Sequence, residues 1–412
     1  MITVDVRRRV WFLVFTAWLA YTIAYVGRLN YSASIVEIIS QTGAGKEAAG
    51  AVSSFFYAAY GAGQLINGLL SKKYAPRISV TVALIGSAAS NFAMTLCPGV
   101  SEMRFVWFFN GAFQSVLWSS IIKETADLVP AEMLPNAAFV LSSPVALGTF
   151  GAYGFAAIFS ALKMKYTVIF CLSAVLLVFA GVFWFFSVGT LQKKLPRAIS
   201  EQASGNRKKQ KLTPVFIITG ALLLLASVSN GFIKDGITTW TPSVLTESFG
   251  VEKSVSIIIT LVLPLMGIVG AWIARTVYKR IHGDGRQGML YFGITTVLLT
   301  AGLLTLPVKN VPLTVVLFAS TACIMMAENT LITSLIPMNT KDKSNSGLVA
   351  GLFDTFVYVG SSIGTVALGG IAEKKTWNAV FLCLVIVAAF AFVINTAEAF
   401  LPLHKGSEET EV

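Results

Sequence analysis

Twelve stretches of this chain are apolar and long enough to cross a lipid bilayer, and that pattern narrows the possible folds more than any single motif does. A spanning helix needs about 20 predominantly apolar residues. The stretches fall at about 10–33, 48–71, 77–97, 103–126, 134–161 and 165–190, and again at about 214–246, 254–279, 287–307, 311–337, 344–371 and 376–402. Inside a bilayer no water is available to satisfy backbone N–H and C=O groups, so each stretch must bond internally as a helix. The expected fold class is therefore an all-α membrane protein with twelve transmembrane helices. Charged residues make up only 12% of the 412 residues, about half the usual share in a soluble domain. Mean hydropathy is +0.74.

One long polar segment, 191–213, divides the spans into six plus six. It carries Lys193, Lys194, Arg197, Arg207, Lys208, Lys209 and Lys211 and reads as a solvated tether, since runs of like charge are commonly disordered. The expected organisation is a six-helix bundle over 1–190, a basic cytoplasmic linker over 191–213 and a second six-helix bundle over 214–412. Of the 31 Lys and Arg residues, 21 fall on the side of the termini and linker and eight on the opposite side. By the positive-inside rule both termini are cytoplasmic, in a multi-pass protein of the plasma or inner membrane. The net charge of +11 thus belongs to membrane topology and not to a nucleic-acid partner. The N-terminal basic residues and apolar run resemble a signal peptide, but the run is too long and contains Arg28, so a retained helix is expected.

Catalytic constellations are absent. There is no Walker A motif, and Cys97, Cys171, Cys323 and Cys383 sit in or beside apolar spans, where they read as small hydrophobes. No His/Cys spacing suggests a metal site. A non-enzymatic protein without cofactor is expected.

The two remaining basic residues lie within spans, each in the first helix of its half: Arg28 and Lys234. Arginine at mid-bilayer costs from about 2.5–3.5 kcal/mol upward and marks a functional site by default. It stays protonated, whereas lysine can shed its charge on burial. Tyr25 and Tyr21 precede Arg28 by three and seven residues, on the same helix face. The opposing readings are that Arg28 snorkels or pairs with a carboxylate, and that Lys234 pairs with Asp235, Glu328 or Asp354. Cations at matching depth in two halves suggest pseudo-symmetric repeats with a binding site between them. An anionic solute would relieve their repulsion.

These residues carry a family resemblance. The chain resembles the major facilitator superfamily, and within it the organophosphate:phosphate antiporter family of glycerol-3-phosphate and hexose-phosphate transporters. Tyr21, Tyr25 and Arg28 fit the first-helix pattern Tyr-x-x-x-Tyr-x-x-Arg. The stretch Tyr60 to Arg77 is similar to the end of the second helix and its loop, with Lys72 in place of the expected acid. Asn110, Gly111, Gln114, Trp118 and Lys123 match the fourth helix. Lys234, Gly236, Ile237, Trp240 and Pro242 match the seventh, with lysine where the family has arginine. Gly351 to Gly360, including Tyr358, matches the eleventh.

The resemblance implies alternating access between two six-helix halves. It implies transport of a small anionic solute, a phosphorylated metabolite, in exchange for phosphate or a similar anion, by a protein expected to act as a monomer. Arg28 and Lys234 would clamp the anion. Tyr21, Tyr25, Tyr60 and Tyr358 would donate hydrogen bonds, and Gln64, Asn67 and Trp118 would shape the pocket. The departures are a lysine expected in the second helix, where Gln64 stands, a missing histidine in the fifth, and Lys234 itself. Two alternatives stand beside that reading, the first from these departures and the second from sensor relatives within the same family. One is a proton- or sodium-coupled organic-acid symporter using Asp235, Glu328 or Asp354. The other is a non-transporting sugar-phosphate sensor.

Small residues at Gly347/Gly351, Gly360/Gly364 and Gly148/Ala152 are expected to allow close helix approach. Pro135, Pro144, Pro242 and Pro264 are expected to break or kink helices.

Overall fold

The computed structural model describes residues 4–70, 75–141, 143–195, 214–278, 280–281, 284–336 and 346–400. Most of the basic linker, the 71–74 loop with Lys72, Lys341 and Lys343, His282 and His404 lie outside them. Every described element is helical. The long helices, in order, are α1 (Val4–Ala33), α2 (Lys46–Leu70), α3 (Pro76–Met94), α4 (Val100–Leu128), α5 (Pro144–Ala161), α6 (Thr167–Lys194), α7 (Pro214–Phe249), α8 (Lys253–Tyr278), α9 (Asp284–Thr305), α10 (Val311–Thr330), α11 (Ser346–Lys374) and α12 (Trp377–Ala399). Among the described residues, eleven of these helices contain a stretch long and apolar enough to cross a membrane. The remaining one, α2, is diluted by Ser53, Ser54, Tyr57, Tyr60, Gln64 and Asn67, because much of it packs against other helices rather than lipid.

Several spans differ in detail from the expectation, for local reasons. The stretch 134–161 is two helices, Leu134–Leu141 and Pro144–Ala161, because Pro144 takes the first helical position, where its missing N–H costs nothing. α8 breaks at Leu261, between Lys253–Thr260 and Val262–Tyr278. Pro264 is the cause: its ring clashes with the carbonyl four residues back, at Thr260. Pro242 instead stays inside α7. α10 runs on into a π-helical turn, Leu331–Leu335. α6 continues to Lys194, so the linker's first four residues are helical, and Lys193 and Lys194 suit the negative end of the helix dipole.

Packing repeats with an offset of six helices. The first half pairs α1 with α5 and α6, α2 with α4, and α3 with α4 and α6; the second pairs α7 with α11 and α12, α8 with α10, and α9 with α10 and α12. The principal contacts between halves obey the same symmetry, α2 against α11 and α5 against α8, with α1 against α7 on the axis.

The α2–α11 seam runs antiparallel in regular register. Gly369 meets the Lys46 carbonyl and Gly50 the Thr365 carbonyl. Ser362 Oγ donates to Ser54 O at 3.0 Å, and Thr355 Oγ1 donates to Gly61 O at 3.2 Å. One turn further on, a Cβ at Gly351 would meet open space. The seam is therefore closed at the ends of α2 and α11 remote from the chain termini and loosens toward the termini. On that remote side, Lys374 pairs with Glu47 at 2.6 Å and Lys46 with Glu247 at 3.0 Å. The Glu373 carboxylate also accepts the Glu47 backbone N–H at 2.8 Å, capping α2 from the other half. On the terminal side, Leu134–Leu141 packs on α1 and α4, and the π-helical turn on α8, α10 and α11, each within its own half. Gly360 and Gly364 serve packing inside the second half, against Val228 and Phe232 of α7, and Gly148 packs on α1.

Candidate functional site

The seam brings Arg28 to the centre. Its side chain is 8% exposed and lies among four aromatic rings: Tyr60 at 4.3 Å, Tyr25 at 5.2 Å, Phe56 at 5.3 Å and Tyr358 at 5.4 Å from guanidinium carbon to ring centre. Arg28 Nη2 donates to Tyr358 Oη across the two halves at 3.0 Å. Among the described residues no carboxylate lies within ion-pairing distance of it; the four ion pairs found involve other residues. Cation–π contacts contribute on the order of 0.5–2 kcal/mol each. They steady the charge but leave most guanidinium N–H groups without a strong acceptor.

The backbone bearing Arg28 is fixed by buried amides of the first half. Asn91 Nδ2 and Asn110 Nδ2 both donate to the Gly27 carbonyl at 3.0 Å. Gln114 Nε2 donates to the Ala24 carbonyl at 3.2 Å and to Ser87 Oγ at 2.9 Å. Asn30 Nδ2 bonds Asn91 Oδ1 at 2.7 Å and Ser173 Oγ at 2.9 Å. All are essentially inaccessible to solvent. These groups hold α1 by its own carbonyls immediately before the arginine, as the support of a positioned site requires.

The expected site residues divide clearly. Tyr25, Tyr60 and Tyr358 surround Arg28. Tyr21 continues the surface, edge-on to Tyr25 at 5.2 Å and stacked on Trp118 at 4.8 Å. Gln64 is half-buried one turn below Tyr60. Asn67 is turned away: its Nδ2 donates to Ser115 Oγ of α4 at 2.9 Å, so it packs the first half instead of lining the site.

Lys234 takes the neighbour-pair arrangement. Its Nζ stands 3.6 Å from Asp235 Oδ2, and that carboxylate also accepts a hydrogen bond from Ser361 Oγ. The second cation is thus partly neutralised on its own helix, and the pair of opposed free cations expected from the sequence is reduced to one. Asp354 of α11 is half-buried and within electrostatic reach of Lys234, Arg28 and Asp235. Glu328 is fully buried in α10, and its electrostatic neighbour is Tyr291 of α9, within the second half.

Several contributors escaped the sequence reading. Phe56 forms one wall of the aromatic box. Tyr57 stacks on Tyr358 with ring centres 6.0 Å apart and is within electrostatic reach of Asp235 and Arg28. Tyr57 and Tyr60 are three residues apart on one face of α2, a spacing that could have revealed the pair. The amide network gave less signal, because asparagines in apolar spans do not announce their partners.

Two helical repeats, sealed together on one side and holding buried charge in their shared seam, define a membrane transporter fold. The chain belongs to the Major Facilitator Superfamily, whose family model matches residues 17–365; this is a family of transporters, not enzymes. Its distant homologues fall in the organophosphate:phosphate antiporter group. It is 21% identical to the membrane sensor protein UhpC of Escherichia coli (strain K12), over 95% of this chain and 93% of that protein. It is 22% identical to the glycerol-3-phosphate transporter of Bacillus subtilis (strain 168), over 95% and 93%. Among solved structures, a mutant of the nucleoside transporter NupG superposes with a TM-score of 0.72 at 14% identity, covering 94% of this chain and 99% of that one.

Proposed function

We propose that this protein is a secondary transporter of a small anionic solute bearing a phosphate-like group, and that Arg28 is the primary anion-binding residue. The observation that carries this reading is the state of Arg28: buried between the halves, pre-positioned through Gly27, and, among the described residues, hydrogen-bonded only to a phenol. A guanidinium offers five N–H donors in a planar fork suited to phosphate or carboxylate. An anion entering from the loosened side meets that fork with its desolvation already met by the protein. The glycerol-3-phosphate transporter among its relatives makes glycerol 3-phosphate the first solute to try.

Lys234 takes part as a mobile point charge, free to swing from Asp235 toward the bound anion. Tyr21, Tyr25, Tyr60 and Tyr358 offer hydroxyls, and Gln64 and Trp118 bound the space. The bias of basic residues supports a reading in which the loosened side faces the cytoplasm of an inner or plasma membrane. The expected exchange reaction follows: one anion is carried out as the halves rock, and another returns.

Purified protein in proteoliposomes loaded with inorganic phosphate tests this reading. The wild type exchanges internal phosphate for external glycerol 3-phosphate, and Arg28→Lys, which keeps the charge but loses the fork, loses most of that exchange. Full activity in Arg28→Lys removes Arg28 from the mechanism. The full-length likeness to a membrane sensor protein supports a second reading, in which ligand binds without being carried; binding without exchange in the wild type would favour it.

A further inference from the structure

Two cavities adjoin at the start of α3, on the terminal side of the first half and away from Arg28. The first, about 420 Å³, is polar and lies between the ends of α3, α4 and α6; Arg77, Lys123, Asp127, Phe185 and Gln192 line it. The second, about 530 Å³, is an apolar groove between α3 and α4, walled mainly by Ile78, Val82, Ala83, Ala112, Phe113 and Val116. Ala75 and Ile78 line both. Each is the size of an ordinary small-molecule site, about 300–1,000 Å³.

Their depth in the membrane follows from helix length. α3 has 19 residues, and at about 1.5 Å per residue it just spans a hydrocarbon core about 30 Å thick. Its first turn, with Arg77, therefore stands at headgroup level, and the groove runs from there toward the acyl chains. Ile78 and Val82 are 58% and 54% exposed, an apolar surface that faces lipid.

Arg77 is built into the polar cavity. Its Nε donates to the Phe185 carbonyl at 2.9 Å, and its guanidinium carbon lies 3.9 Å from the centre of the Phe185 ring. Gly189 makes room for it, since a Cβ there would overlap the guanidinium. Among the described residues Arg77 has no ion pair, so its terminal N–H groups are left for an acceptor in the cavity. Lys123 adds a second positive charge to the lining, and the exposed Lys193 and Lys194 follow directly after Gln192. Asp127 is the one acid of the lining; Glu124, a turn away on α4, is buried and accepts a hydrogen bond from Gln192 Nε2 at 2.7 Å. Ala75 gives α3 no side-chain cap, and the positive end of the helix dipole adds to the field. A free anion would use the polar cavity alone; the groove beside it calls for an occupant that also carries an apolar chain.

We propose that the two cavities together hold one anionic phospholipid from the leaflet nearer the chain termini. Its phosphodiester lies on Arg77 and Lys123, a headgroup hydroxyl donates to Asp127, and one acyl chain fills the α3–α4 groove. The arginine fork matches a phosphodiester, and basic pockets between spanning helices take up such headgroups. The site is independent of the anion site at Arg28.

The test uses full-length protein in mild detergent with phosphatidylglycerol as the probe. Native mass spectrometry should find one phosphatidylglycerol retained per wild-type chain after loosely held lipid is stripped, and the same lipid should raise the melting temperature saturably. Arg77→Gln should bind it about tenfold or more weakly, as expected for losing a hydrogen bond to a charged group. Ala112→Phe, which fills the groove from an exposed position in a cavity Arg77 does not line, should lose affinity by a similar factor. Equal retention in the wild type and both variants overturns the proposal, and so does wild-type protein that holds phosphatidylcholine or phosphatidylethanolamine as tightly. Stabilisation by inorganic phosphate that Arg77→Gln abolishes and Ala112→Phe keeps, without lipid retention, overturns the lipid in favour of a free anion. Should Arg77→Gln fail to fold, Ala112→Phe decides, because its position lies outside the packed core.

Discussion

Placing a methyl group on Gly50 should unseat the closed side of the molecule. A Cβ there would overlap the Thr365 backbone carbonyl and lie 3.1 Å from Trp240 Cζ2. A backbone carbonyl in a helix has no rotamer to escape into, so α2 and α11 must separate. Overpacking of a well-packed contact costs about 1–3 kcal/mol. That cost falls only on the arrangement in which this side is shut, whereas the gain in helix propensity from Gly to Ala is common to both arrangements. The equilibrium should therefore move by roughly 5- to 150-fold toward the arrangement open on the far side. Spin labels at Lys163 and Lys309, one in each half beyond the membrane spans, read the separation directly. The Gly50→Ala protein should gain a longer-distance population. Gly154→Ala, where an added Cβ meets nothing within 4 Å, should match the wild type. Identical distance distributions in the two variants would refute the steric reasoning, because the clash would then be absorbed without moving the halves.

Other outcomes follow from the same geometry. Replacing Lys374 or Lys46 by alanine removes an ion pair across the far side that solvent screens and weakens; the same label pair should show a smaller shift than Gly50→Ala, shrinking further at high salt. Asn110→Leu removes one of two donors to the Gly27 carbonyl and one partner of Ser87. It should cost about 1–3 kcal/mol in thermal stability and weaken anion affinity, whereas the same change at Asn67, whose side chain bonds Ser115, should lower stability and leave affinity nearly unchanged. Tyr358→Phe deletes the hydrogen bond to Arg28, and its apo form should melt earlier than the wild type while retaining the ring stacked on Tyr57.

The helical layout was open to sequence reasoning because a bilayer admits so few solutions: apolar length and one polar linker were enough to place twelve helices. The breaks were partly legible. Pro144 and Pro264 mark two of them, but Pro242 sits unbroken inside α7, since neighbouring helices can absorb the bond that proline loses. Arg28 and its tyrosines stood out as charge and phenols in an apolar span. What pairing Lys234 adopts could not be read from spacing, because Asp235, Glu328 and Asp354 were all plausible partners. The fold resolved this by turning Asp235 toward both Lys234 and Ser361 and burying Glu328 elsewhere. The glycine pairs showed a similar limit: Gly360 and Gly364 pack α7 within one half, and the inter-half seam is carried instead by Gly50, Gly61 and Gly369, which form no such motif.

The central claim concerns a guanidinium waiting for an anion, and a binding isotherm addresses it most directly. Titrating glycerol 3-phosphate and inorganic phosphate into the purified protein by calorimetry should give saturable binding in the wild type. In Arg28→Lys the affinity should fall roughly 10- to 150-fold, the equivalent of losing a hydrogen bond to a charged group, about 1.5–3 kcal/mol. Equal affinity in the two proteins would contradict the account, because the anion would then be held by something other than the fork of Arg28.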